Sequence, residues 1–156
     1  MNGGFATILI VMLACGLAVG AALDWRSRTI PNWLNAAIAL GAIPFWWASG
    51  VHLWPGVALH LGIALALFAI FGAAFYLGLM GGGDVKMLAA VALWLPPLAV
   101  LQLLVVMSLT GGALTLAMVV PHRLRKAAGQ PEIPYGIAIA FAGMWLISER
   151  FLNQFV

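Results

Sequence analysis

The chain carries four acidic side chains, Asp24, Asp84, Glu132 and Glu149, and two of them adjoin long apolar runs inside unusual local sequences. Asp24 opens Asp24-Trp25-Arg26-Ser27-Arg28-Thr29-Ile30-Pro31-Asn32, and Asp84 closes Gly81-Gly82-Gly83-Asp84. A carboxylate held against a bilayer is expensive, so each acid in so apolar a chain marks a candidate functional group. Two carboxylates brought face to face can share one proton. One then acts as base toward water while the other polarises a carbonyl, which is the chemistry of hydrolysis without a metal or a nucleophilic serine. Other hydrolytic sets lack parts. The serines are scattered, and His52, His60 and His122 do not gather into a metal site by spacing. No metal or cofactor is expected, and His60 is expected to be a packed, hydrogen-bonded residue of the bundle.

The solvent that positions these groups follows from composition. The chain is 65% hydrophobic and 7% charged, with mean hydropathy +1.10, which places it among integral membrane proteins. The single cysteine, Cys15, has no intrachain partner for a disulfide or a cysteine-based zinc site and is expected to pack as a small hydrophobe.

The expected fold is all-α, a polytopic membrane bundle of about six spans forming one domain over residues 1–156. Phe5 to Leu23 is uncharged and long enough to span a bilayer. It is expected to be a retained helix, since no Lys or Arg precedes it as a signal peptide would require. A second span runs from Trp33 to about Ser49, with a kink expected at Pro44, and a third from Gly56 to Leu79. Met87 to Val120 is a stretch of 34 uncharged residues, which as one helix would be about 51 Å long. Pro96-Pro97 breaks it into a short fourth helix and a fifth from about Leu98 to Val120. A sixth follows Pro134, from Tyr135 to about Phe151.

The positive charges fall on one side of that scheme. Arg26, Arg28, Lys86, Arg123, Arg125 and Lys126 lie in the linkers after spans one, three and five, and only Arg150 lies on the other side. The N-terminus is therefore expected outside and the basic linkers in the cytoplasm, with Asp24 and Asp84 both at the cytoplasmic face. The basic residues are read as topology determinants and contacts to lipid headgroups, with membrane lipids rather than nucleic acid as partners. The Asp84–Pro96 segment would span only about 18 Å of a core of roughly 30 Å, so one of its ends must lie below the surface. Glycine at 81–83 suits such a place because it admits positive φ and lets another backbone approach closely. By position, Asp84 stands at a helix N-terminus and Asp24 at a helix C-terminus, so the dipoles give Asp84 the base's role and Asp24 the acid's.

At these residues the sequence resembles the prepilin peptidases, membrane aspartyl proteases with a Gly-x-Gly-Asp motif, and in particular their small Flp/Tad pilus members. Gly81-Gly82-Gly83-Asp84 matches that motif and Val85-Lys86-Met87-Leu88 continues it. The run from Asp24 to Ile30-Pro31-Asn32 is similar to the first aspartate motif, and Pro134-Tyr135-Gly136-Ile137-Ala138 to the element before the last helix. The resemblance implies cleavage of leaders from type IV-like prepilins at the cytoplasmic face of a bacterial inner membrane, in service of a pilus assembly system. It implies Asp24 and Asp84 as the catalytic pair. Gly81, Gly82, Gly83, Lys86, Pro31, Asn32, Pro134, Tyr135 and Gly136 are then motif or substrate-contacting positions. Larger members also methylate the new N-terminus and carry paired Cys-x-x-Cys, to which nothing here corresponds.

Several residues carry plainer readings beside these. Asp24 alone would be a solvated helix end and Asp84 alone a helix cap; Lys86 either tunes Asp84 or anchors the helix end. Glu132 is the one cytoplasmic acid outside the pair, available to a basic leader. The glycines of spans one and three are read as close helix packing. Two other functions fit the acids. A transporter or assembly subunit would use them as a proton relay, in mid-span and without a glycine motif. An intramembrane protease of the signal-peptide-peptidase kind would share Gly-x-Gly-Asp, but Leu23 stands where its Tyr-Asp motif needs tyrosine.

Overall fold

The computed structural model describes residues 3–124 and 133–153. They form six α-helices: α1 (Gly3–Ser27), α2 (Asn32–Ala48), α3 (Ala58–Tyr76), α4 (Gly82–Ala92), α5 (Pro97–Leu124) and α6 (Tyr135–Asn153), with a π-helical turn at Leu53–Val57 leading into α3. Three stretches, Gly4–Ser27, Leu53–Tyr76 and Pro97–Val120, are long and apolar enough to cross a membrane. Many large apolar side chains face outward, among them Ile8, Met12, Leu40, Leu65, Ile70, Leu101 and Leu109. That much exposed hydrocarbon belongs in lipid, and the chain is a helical membrane bundle.

Every expected span has its helix, with two instructive shifts. The first helix runs a full turn past Leu23, so Asp24 lies inside α1 rather than after it. The proline break falls where expected, but α4 ends at Ala92, and Pro97 is the first residue of α5, where its missing N–H costs nothing. Pro44 is accommodated within α2.

At 11 residues α4 is only about 16 Å long, yet it is the centre of the molecule. It packs against α2, α3 and α6, while α1 packs on α2 and α6, and α5 on α6. Asp84, Val85, Met87, Leu88, Ala90, Val91 and Ala92 are all buried. By contrast α3 buries only Ala64 and Leu67 and lies at the periphery. Two indoles hold the far end of α4 to α2. Trp94 Nε1 donates to the Ile38 carbonyl at 2.9 Å and Trp46 Nε1 to the Leu93 carbonyl at 2.8 Å, so both ring N–H groups are satisfied away from water. Gly41 makes room for the first of these, since a Cβ there would lie 2.8 Å from the Trp94 ring.

Glycine packing is confined to one of the two helices where it was expected. On α1, Gly16 faces Ile38 and Gly20 faces Met87, whereas Gly62 and Gly72 on α3 have nothing within 4 Å of a Cβ position. Cys15 also departs from expectation: it is exposed on the outer face of α1 rather than packed. With almost every residue of these helices apolar, sequence carries no amphipathic stripe to say which face turns inward.

Candidate active site

Asp24 and Asp84 come together at one end of the bundle, where both are buried, with 4% and 7% of their surface exposed. They line a single cavity of about 200 Å³ with Arg28, Thr29, Ile30, Gly81, Gly82 and Gly83. The two carboxyl groups are close enough for the charge of Asp24 to act on Asp84.

Each acid is placed by local backbone chemistry. Asp84 is the third residue of α4, counted from its cap Gly81. From there its carboxyl turns back toward Gly81, where a Cβ would lie 2.8 Å from Asp84 Oδ2. Asp24 lies one turn before the end of α1, and its carboxyl faces the N–H groups of Gly136 and Ile137 at the start of α6. The Gly136 N–H faces Asp84 as well, so this one backbone group stands between the two acids. The dipole argument that separated their roles therefore does not survive. Asp24 belongs to the C-terminal end of α1, but its carboxyl meets the N-terminal end of α6, and both acids face helix N-termini.

The three glycines are there for three different close approaches. A Cβ at Gly81 would lie 2.8 Å from Asp84 Oδ2, one at Gly82 3.1 Å from the Phe75 ring, and one at Gly83 3.1 Å from Ile30 Cβ and 3.3 Å from its backbone. Positive φ is not the reason: Gly81 has φ −72°, and among the described residues the glycines at positive φ are Gly50 and Gly78. Gly136 is the tightest position, with a Cβ there 2.8 Å from Asp24 Oδ2 and 2.7 Å from Ile30 Cδ1. Ile30 is thus a buried wedge between the starts of α4 and α6.

The other motif residues build the frame. Pro31 caps α2 and accepts from the N–H of Leu34 and of Asn35. Asn35, itself buried, donates from Nδ2 to the Gly83 carbonyl at 3.1 Å, and its Oδ1 has no partner. Lys86 Nζ donates to Asn32 Oδ1 at 2.7 Å, tying α4 to α2. Lys86 lines a separate apolar groove of about 520 Å³ between α2, α3 and α4, with Asn32, Asn35, Leu61, Phe68 and Leu93, and not the cavity of the two acids. Of its two readings, the anchoring one fits this placement. Pro134 is buried, and the Tyr135 ring packs on Gly111 of α5. Glu132 lies outside the described residues.

His60 sits away from this end, with Nδ1 2.9 Å from the Gly56 carbonyl and its ring beside Trp46. Among the described residues no three His, Cys, Asp or Glu side chains are grouped to hold a metal ion. A relay through mid-membrane acids does not match the placement of Asp24 in the last two turns of α1 and Asp84 in the first turn of α4.

One more residue of the cavity, Arg28, carries in the sequence the reading of a topology determinant and headgroup contact. Arg28 follows the last residue of α1 and adopts φ 55°, with its N–H bonded to the Asp24 carbonyl at 3.0 Å. Its guanidinium lies 5.7 Å above the Trp25 ring and its charge acts on Asp24. The signal was present in the sequence: Arg28 stands four positions after Asp24, the spacing of neighbours on a helix face.

A family model described as the type IV leader peptidase family matches residues 11–116, from within α1 to within α5. No curated protein and no solved structure gives a significant match. The start of α6, with Gly136, lies beyond the matched residues.

Proposed function

Because the chain belongs to the type IV leader peptidase family, we propose that it is an aspartyl endopeptidase that removes the leader from type IV-like prepilins of the Flp class. The reaction takes place at the cytoplasmic face of the bacterial inner membrane. The observation that carries this reading is the pair of buried carboxyls in one cavity, with the Gly136 N–H facing both.

The cavity has room for a peptide bond and a water, given roughly 30 Å³ for each water. One carboxylate removes a proton from that water as its oxygen bonds to the scissile carbonyl carbon. The other carboxyl, in its acid form, donates to the carbonyl oxygen, and the tetrahedral intermediate collapses as the C–N bond breaks and the departing nitrogen takes a proton. Burial strengthens each of these electrostatic contacts relative to water. The apolar groove between α2, α3 and α4 is joined to the cavity through the Asn35–Gly83 bond. It accommodates the apolar start of the substrate's helix, while the leader lies toward the cytoplasm.

The test is cleavage of a candidate Flp prepilin by purified protein. Asp24→Asn and Asp84→Asn should each reduce the rate by about 10²- to 10⁴-fold, the usual worth of a general acid or base, with the protein still folded. The wild-type rate should be bell-shaped in pH, falling at low pH as the base is protonated and at high pH as the acid ionises. Substantial cleavage by either variant would favour a relay or scaffold role.

A further inference from the structure

Arg28 is a non-glycine residue at φ 55°, in the position after a helix where the left-handed conformation is required and glycine is the residue of lowest cost. A strained residue kept at the edge of a polar cavity points to a use for its side chain. Two buried polar atoms at this site have no hydrogen-bond partner, the donor Arg28 Nη1 and the acceptor Asp24 Oδ2. Both residues line the same cavity of about 200 Å³. No ion pair joins them, although the charge of Arg28 reaches Asp24, and the Trp25 ring supports the guanidinium from one side. The site thus holds one unused donor beside one unused acceptor, the complement of a peptide carbonyl and an incoming water.

Resting on the peptidase reading above, we propose that Arg28 is a further catalytic residue: its Nη1 donates to the scissile carbonyl oxygen and holds the negative charge that develops there. The carbonyl oxygen has two lone pairs. One accepts the proton of the acidic aspartate and the other the guanidinium N–H. As the water oxygen bonds to carbon, the carbonyl π pair moves onto oxygen between these two donors. It returns when the C–N bond breaks and the amine leaves with a proton. A donor fixed before reaction acts mainly on the transition state, so its loss falls on kcat rather than KM.

The discriminating variant is Arg28→Gly, because glycine relieves the backbone strain while removing the donor. It should lower kcat by about 10²- to 10³-fold, the scale of one oxyanion donor, with KM little changed and the melting temperature in detergent equal to wild type or higher. Added guanidinium ion should restore part of kcat, which it cannot do for a residue needed only to shape the turn. Arg28→Met, which keeps an unbranched side chain but carries no N–H donor, should lose kcat likewise. Wild-type kcat in either variant, a loss confined to KM, or a loss accompanied by a lowered melting temperature and no response to guanidinium would overturn the assignment. Failure of the peptidase reading itself would look different: folded wild-type protein would not cleave the prepilin, or Asp84→Asn would cleave it as well as wild type does.

Discussion

At the Gly136 N–H and the two carboxyls it faces, the geometry leaves little slack. A Cβ at Gly136 would collide with both Asp24 Oδ2, on α1, and Ile30 Cδ1, in the connection to α2, and both side chains are buried, which limits how far either can move aside. Gly136→Ala should therefore displace Asp24 and lower kcat, on the order of 10²-fold for a shift approaching 1 Å, while the protein remains folded. Gly62→Ala, where a Cβ meets nothing within 4 Å, should leave kcat at the wild-type value. Steady-state kinetics of the two alanine variants against one prepilin check both expectations. If Gly136→Ala cleaved at the wild-type rate, the carboxyl positions would be less constrained than the close approach requires. The aspartates and the glycine motif were legible in the sequence because rare polar groups stand out in an apolar chain. The reason for each glycine was not, since it depends on what another helix presents to it.

Among the elements, α4 is the one whose placement decides the site. Its first turn carries Asp84, and its far end is held by the Trp94 and Trp46 indoles against α2. Any tilt of so short a helix moves Asp84 relative to Asp24. Gly41→Ala should press on the Trp94 ring, which a Cβ would approach to 2.8 Å, and destabilise the protein by about 1–3 kcal/mol as overpacked cores do. Trp94→Phe removes the outer ring atoms that would clash, so Gly41→Ala combined with Trp94→Phe should cost less than the sum of the two single changes. Unfolding in mixed detergent measures all three variants, and strict additivity would mean that the ring and the glycine are not coupled. The start of α4 was readable from the glycine run and the break before α5 from the paired prolines, which act on their own backbone, although the helix itself ends at Ala92, before them. Its central position was not readable, because a helix with apolar residues on every face does not announce which neighbours it will take.

For the whole molecule, the placement of positive charge predicts an even number of spans with the linker after α5 in the cytoplasm and the α2–α3 connection outside. With Cys15 replaced by alanine, single cysteines at positions 130 and 52 should react with a membrane-impermeant reagent from opposite sides, the first only after the cytoplasmic face is opened. The replacement matters because Cys15 is exposed. Reversed labelling would invert the molecule and carry both aspartates to the other face.

By itself the sequence determined the solvent, the number and approximate limits of the helices, and the two acids around which a site could form. These are local or compositional properties: apolar length sets a span, proline and glycine interrupt it, and a carboxylate in such a chain needs a reason. Tertiary structure alone decided the rest. It turned the Asp24 carboxyl from the end of its own helix to the start of α6, and it made Ile30 a wedge between two helix starts. It also left the α3 glycines idle and put Arg28 in the cavity beside an acceptor it does not bond. Each of these follows from which helix faces meet, and in a bundle apolar all round that choice is made by the fit of side chains between helices, which no single segment encodes.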